Sequence, residues 1–395
     1  MIGFNLSFID DNKIPLAWLQ LMREKTRLFV AISGISFAVV LMFMQMGFLT
    51  ALFDSAVGMH SSLQGDIVLI SPRSVALIAM KPFSQRRLYQ VLGFQGVESV
   101  SPIYVDSGIW KNPQNPSITR NIRIYGINPD NQVFNMPGVA ENLDKIKKPD
   151  VVLFDWGSRT EFGPISTLFK QEKSVITEVE ERRVNVGGLF ELGVTFGSDG
   201  TLITSDLNFL RIFEERRTAG LIDIGLIKLK PGVDAVKVLK NLRANLPKDV
   251  KVLSKQEYKD FEVSYWSGST PIGFTFILGT VMGFFVGTII VYQVLYTDVN
   301  DHLPEYATLK AIGYKDSFFS GVVFQAAMIL ATLGFLPGVL IAWGLYELTR
   351  NATLLPMFMQ LDKNLLVLVL TFVMCFVSGS IAIRKLREAD PADIF

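Results

Sequence analysis

The sequence has one cysteine, Cys375, and two histidines, His60 and His302. A single thiol closes no internal disulfide and has no partner for a redox or zinc site. Inside an apolar run it reads as a small packing residue. The histidines are far apart and lack metal-ligand spacing, so no metal site is expected. No G-x-x-x-x-G-K-[ST] loop and no G-x-G-x-x-G fingerprint occurs, which excludes nucleotide binding by those routes. HExxH, GxSxG and an ordered Ser/His/Asp set are missing as well. Asp106, Asp155, Glu161 and Glu191 have no spacing that separates them from surface charge. A net charge of +1, with no basic cluster interleaved with aromatics, gives no reason to expect nucleic acid as a partner. The expectation is a chain that is not an enzyme and binds no cofactor directly.

What the sequence has in excess is apolar length. Its hydrophobic fraction is 49%, its mean hydropathy is +0.34, and the excess is concentrated. Leu28–Phe53, Ile272–Tyr296, Phe318–Tyr346 and Leu365–Ile383 contain no Asp, Glu, Lys, Arg or His. Each reaches the roughly 18 to 25 residues needed to cross about 30 Å of hydrocarbon as a helix. The fold expected is an α-helical membrane protein with four transmembrane helices: TM1 at 28–53, TM2 at 272–296, TM3 at 318–346 and TM4 at 365–383. Residues 1–27 read as an N-terminal amphipathic elbow, with Pro15 opening a helix and Trp18 beside Arg23, Lys25 and Arg27 at headgroup level. The late, long apolar run without a nearby small-residue cleavage site favours an uncleaved anchor over a signal peptide. Arg23, Lys25, Arg27, Lys310, Lys315, Arg384, Lys385 and Arg387 flank the spans on one side, so both termini and the 297–317 loop are expected in the cytoplasm. The 347–364 loop then falls outside, and 384–395 is a cytoplasmic tail.

Residues 54–271 form one large extracytoplasmic insertion between TM1 and TM2, mixed in pattern and punctuated by Gly and Pro, which reads as an α+β domain. Strand, helix and strand are expected at 66–70, 84–92 and 97–104, and again at 222–229, 233–245 and 250–253. Two such modules around an insertion suggest a split ferredoxin-like lobe, at about 54–148 and 211–271. A second, β-rich lobe at about 149–210 has expected strands at 184–190, 194–196 and 201–203, broken by Gly187, Gly188, Gly193, Gly197 and Gly200 at turns and bulges. The Pro- and Asn-rich segment Asn112–Arg120 is an exposed candidate for meeting a partner.

Two features of the membrane part stand out. Gly279, Gly283 and Gly287 recur every four residues in TM2, a stripe that admits a neighbouring helix as a packing contact within the chain or as a dimer interface. The spans carry Gln45, Gln293 and Gln325 but no mid-membrane charge, which makes a poor substrate path, and Pro337 is expected to kink TM3. Between TM2 and TM3, Leu303, Tyr306 and Leu309 share one face of a short amphipathic helix that Gly313 can stop. Such a helix is a handle for a soluble partner, although the same pattern fits an ordinary interhelical loop.

The order of one span, a large external domain and three clustered spans resembles the MacB/FtsX-type (type VII) permeases of ABC systems. Glu305-Tyr306-Ala307-Thr308-Leu309-Lys310-Ala311-Ile312-Gly313 is similar to that family's E-x-x-x-LKAIG coupling segment. Arg384–Arg387 followed by Asp390-Pro391-Ala392 is similar to its basic tail and D-P-x-x motif, and Trp18-Leu19-Gln20 to Arg27 fits its elbow. The wording EYATLKAIGY and the lack of a fused ATPase domain most resemble the DevC branch of cyanobacterial glycolipid exporters. Tyr306 departs from the small or charged residue common there. The resemblance implies a homodimer in a bacterial inner membrane with its large domain in the periplasm. It implies a separate DevA-like or MacB-like ATPase dimer gripping the loop through Glu305, Tyr306, Thr308, Leu309, Lys310, Ala311, Ile312 and Gly313, with ATP and Mg bound by that partner. A DevB-like periplasmic adaptor, a TolC-like outer-membrane channel and surrounding membrane lipids complete the implied assembly. The two lobes would be the family's porter and sabre, and hydrolysis would move the periplasmic domain (mechanotransmission) to export a glycolipid or other amphipathic cargo. The rival readings are a lipoprotein-release permease of the LolC/LolE kind and an FtsX-like activator of a cell-wall hydrolase, the latter expected to have a smaller external domain.

Overall fold

The computed structural model describes residues 16–172 and 174–388. Helix α1 (Leu16–Arg23) leads through Glu24 into α2 (Lys25–Ala56) and α3 (Gly58–Ser62). There follow β1 (Ile67–Ile70), β2 (Phe83–Ser84), α4 (Gln85–Gln90), β3 (Val97–Lys111), β4 (Thr119–Ile127) and β5 (Val151–Asp155). The chain continues through α5 (Ile165–Glu172), β6 (Val175–Val179), β7 (Arg182–Phe190), β8 (Thr201–Ser205), α6 (Asp206–Ile212) and β9 (Leu221–Ile222). Next come β10 (Ile224–Leu229), α7 (Ala235–Asn245), β11 (Lys251–Ser254) and α8 (Lys255–Ser264). A π-helical turn at Tyr265–Ser269 precedes α9 (Pro271–Asp301), α10 (Leu303–Ala311), α11 (Asp316–Thr353) and α12 (Leu361–Glu388). Two compact units result: residues to Leu49 with Thr275–Leu348 and those from Met357, and Thr50–Phe274 with Thr349–Pro356. The expected Pro15 and Asp390-Pro391-Ala392 features lie outside the described residues.

In the first unit α2, α9, α11 and α12 are long and apolar enough to cross a membrane. Each helix outruns its uncharged core, because polar residues at the ends continue the backbone ladder beyond the hydrocarbon. Thus α9 runs on to Asp301 and α11 to Thr353. Helix α2 buries Ala31, Ile35, Ala38, Val39, Met42 and Phe43, three or four residues apart. Gly334 and Gly338 of α11 sit against Ile35 and Val39, and Tyr346 Oη donates to the Phe43 carbonyl at 2.5 Å. Pro337 lies inside α11 without ending it. The carbonyl beside the one it leaves without a backbone donor, that of Gly334, accepts from Ser36 Oγ at 2.9 Å, the kind of neighbouring hydroxyl that makes proline tolerable in a span.

The second unit is built on one nine-stranded sheet in the order β11-β1-β10-β3-β4-β8-β5-β7-β6. The passes β1-α4-β3 and β10-α7-β11 interleave as four antiparallel strands. Asp234 caps α7, accepting from the Val236 and Lys237 amides, and Ser254 with Glu257 forms a capping box on α8. The strands expected of a second lobe are not a separate sheet, because β8 pairs in parallel with β4 and carries the same ladder outward. Val68 and Leu153 face one apolar cluster while Leu69 and Val186 face the other, so both cores span the whole sheet. Of the glycines, Gly187 is the extra residue where the β5–β7 register skips from Val186 to Gly188. The strand expected at 194–196 is not formed. Gly193 takes φ +91° and Thr195 bridges only to Ser198, so the segment is a tight turn. Strand β3 instead runs seven residues past its expected end at 104, so residues 112–118 become the tip of the β3–β4 hairpin while Thr119 and Arg120 pair with Lys111 and Trp110.

Candidate functional site

The residues picked out between the second and third apolar runs are brought together on α10 and its exit turn. Pro304 sits in the first turn, where its missing N–H costs nothing. Glu305 in that turn and Lys310 in the last complement the helix dipole. Gly313 stops the helix at φ +110°. Its amide donates to the Lys310 carbonyl at 3.0 Å, and that of Tyr314 to Leu309 at 3.1 Å. These are the paired bonds of a Schellman stop, which needs a residue free to take positive φ. Lys310 Nζ meets Asp316 at 3.2 Å across the turn.

One face of α10 is seated. Tyr306 and Ala307 are buried, and Leu303 and Leu309 are half-buried. The Tyr306 ring packs at 5.4 Å, tilted by 56°, against Phe319 of α11, and its hydroxyl donates to Gln20 Oε1 of α1 at 3.3 Å. Burial pushes the phenol up to about 12, the Gln20 bond offsetting a little of the effect. A second link joins the elbow to the end of α9: Arg27 reaches Asp301 at 2.5 Å and Glu24 at 2.8 Å. Gln20, Arg27 and Asp301 escaped the sequence reading as a network, since they are up to 286 residues apart from their partners and share no spacing signal. His302 Nδ1 lies 2.9 Å from the Asp298 carbonyl. Among the described residues no group of three or more His, Cys, Asp or Glu side chains is placed to hold a metal.

The opposite face is open. Glu305, Thr308, Ala311, Ile312 and Gly313 are exposed. Ile312 is 72% exposed and Tyr314 47%. Thr308 Oγ1 is spent on its own helix, donating to the Pro304 carbonyl. The free face therefore offers one carboxylate and an apolar knob. The glycine stripe lies elsewhere on α9. Gly279 packs on Gln45, Gly283 on Leu41 and Met42, and Gly287 on Ala38 and Met374, all of the same chain. Asp155, expected at the surface, is fully buried at the end of β5. Its carboxylate accepts from the Gly157, Leu192 and Gly193 amides at 2.9–3.0 Å, which offsets part of the cost of its burial.

Among curated proteins none matches the chain. Of solved structures, the periplasmic region of MacB from Actinobacillus actinomycetemcomitans is similar at 12% identity and a TM-score of 0.35, covering 50% of this chain and 92% of that one. The extracellular domain of the noncanonic ABC-type transporter YknZ from Gram-positive bacteria is similar at 17% identity and a TM-score of 0.34, covering 48% and 99%. A MacB-like periplasmic core domain model matches residues 28–245, more than half of the chain, and an FtsX-like permease C-terminal model matches 274–391. With both domains present in one polypeptide beside four helices apolar enough to span a membrane, the chain belongs to the family of MacB-like and FtsX-like permeases.

Proposed function

We propose that the chain is the permease subunit of an ABC-type export system, in which a separate ATPase dimer, holding ATP and Mg, docks on α10. The observation that carries this reading is the two-sidedness of α10. One face is fixed to α1 and α11, and the other presents Glu305 and Ile312 to solvent. A helix held in this way passes a push to the bundle instead of absorbing it. The spans offer no mid-membrane charge, which supports movement of the external domain over passage of cargo through the helices. In this reading α10 and both termini are cytoplasmic, and the strand-rich domain is periplasmic. Its β11-β1-β10-β3 end is the ferredoxin-like porter, and the part around β5–β7 is the sabre. The chain works as a homodimer with an adaptor and a TolC-like channel to export a glycolipid or other amphipathic cargo. Gly279, Gly283 and Gly287 serve as packing residues inside each protomer. The test uses Glu305→Ala and Gly313→Trp in the full chain. Both are expected to abolish co-purification of the ATPase and export while leaving the external domain folded by limited proteolysis. Unchanged ATPase assembly and export in both variants would remove α10 from the coupling role.

A further inference from the structure

Arg123, on β4, is a buried cation without a counterion. It is 8% exposed. Its terminal nitrogens donate to two backbone carbonyls, Leu77 at 3.0 Å and Gly197 at 3.3 Å. Among the described residues no carboxylate comes within 4 Å of it, whereas Arg217 nearby is paired with Asp223. Glu262 is within electrostatic reach but is a poor substitute. Both its oxygens are taken, by the Leu77 amide and Trp266 Nε1 at 2.8 and 2.9 Å, and burial holds its carboxyl above the usual range. A buried guanidinium is ordinarily paired, because neutral carbonyls do not repay the loss of water around a full charge.

Arg123 lines a cleft of about 500 Å³, within the range of small-molecule sites. A recess of about 260 Å³ shares Arg123, Ser107, Asn121 and Phe196 with it. The cleft's open surface is mainly polar, with Ser107, Asn121 and Arg217 beside Arg123. Asp106, the one acid among the cleft's lining residues, faces Arg216 and Arg217 at 3.8–3.9 Å. We infer that this cleft binds a small anion, a phosphate or carboxylate, set against Arg123. The inference needs no ATPase and no transport, so its failure would leave the permease reading standing.

The test is calorimetric titration of the full chain in phosphatidylcholine nanodiscs with inorganic phosphate, acetate and glucose. At least one of the two anions is expected to saturate at one per chain and to bind at least about ten-fold more tightly than glucose. Arg123→Gln is expected to weaken that binding about ten-fold or more. Because Arg123 also ties down the Leu77 and Gly197 segments, Asn121→Trp is the second variant. Asn121 is an exposed lining residue, and filling the mouth there leaves the Arg123 bonds in place. Its thermal transition should be unchanged and its anion binding lost. Equal affinity for glucose, or undiminished binding in both variants, would each overturn the assignment.

Discussion

Asp155 shows what residue spacing cannot carry. Nothing in the sequence around it differs from a surface carboxylate, because the three amides that donate to it come from Gly157 and from the Leu192–Gly193 turn about 37 residues away. Arg123 is the same case with the sign reversed. Gly313, by contrast, was legible, since a glycine after a short amphipathic segment has one common use and the structure gives it φ +110°. The burial of Asp155 has a consequence in pH. Desolvation raises its carboxyl to about 6, and that of Asp223 likewise despite the Arg217 partner. Both bind a proton more tightly folded than unfolded. Their contribution favours the folded state below about pH 4 and is lost as pH rises through about 6, on the order of 3 kcal/mol each. His60, drawn down to about 3 by burial, acts in the opposite sense, losing stability as pH falls below its unfolded value. The informative comparison is therefore between variants. Asp155→Asn should reduce whatever stability the chain gains between pH 7 and pH 5, read as the difference in melting temperature. An unchanged difference would mean that Asp155 is ionised in the fold at both values.

At the scale of elements, the apolar runs located four long helices but not their ends, and the local modules β1-α4-β3 and β10-α7-β11 were visible because strand and helix periods alternate within about thirty residues. The partners β4–β8 and β5–β7 were not visible. Parallel pairing joins segments with no turn between them, and period-2 patterning is silent about which strand lies alongside. Helix α9 repeats the lesson in the membrane unit. Its glycines signalled a close approach, and the structure supplies the neighbour. Gly34 meets Ile290, Ala38 meets Gly287, Leu41 and Met42 meet Gly283, and Gln45 meets Gly279, an antiparallel run along α2. A Cβ on Gly283 would stand 2.7 Å from Leu41 Cδ2, closer than van der Waals contact allows. Gly283→Leu should therefore force α9 off α2 and lower the detergent-solubilised melting temperature by several degrees, at a cost of about 1–3 kcal/mol. A stability equal to that of the unsubstituted chain would show that α9 stands free of α2 along this stripe.

For the whole molecule, the single cysteine becomes an asset. Cys375 is buried in α12, and Cys375→Ala should give a thiol-free chain in which one cysteine can be placed at will. Ile312→Cys on α10 and Trp156→Cys after β5 replace side chains 72% and 51% exposed. In intact spheroplasts an impermeant maleimide is expected to label position 156 and to reach 312 only after the membrane is opened. The reverse pattern would invert the proposed topology. A last property follows from the pairing of β1 with β11, in which Ile67 lies opposite Ser254 and Ile70 opposite Lys251. The first and last strands of the external domain clasp each other, so the chain leaves the domain beside the place where it came in. A segment closed in this way is a cassette. It can be excised with a short linker, or grafted between the spans of another permease, without opening its sheet.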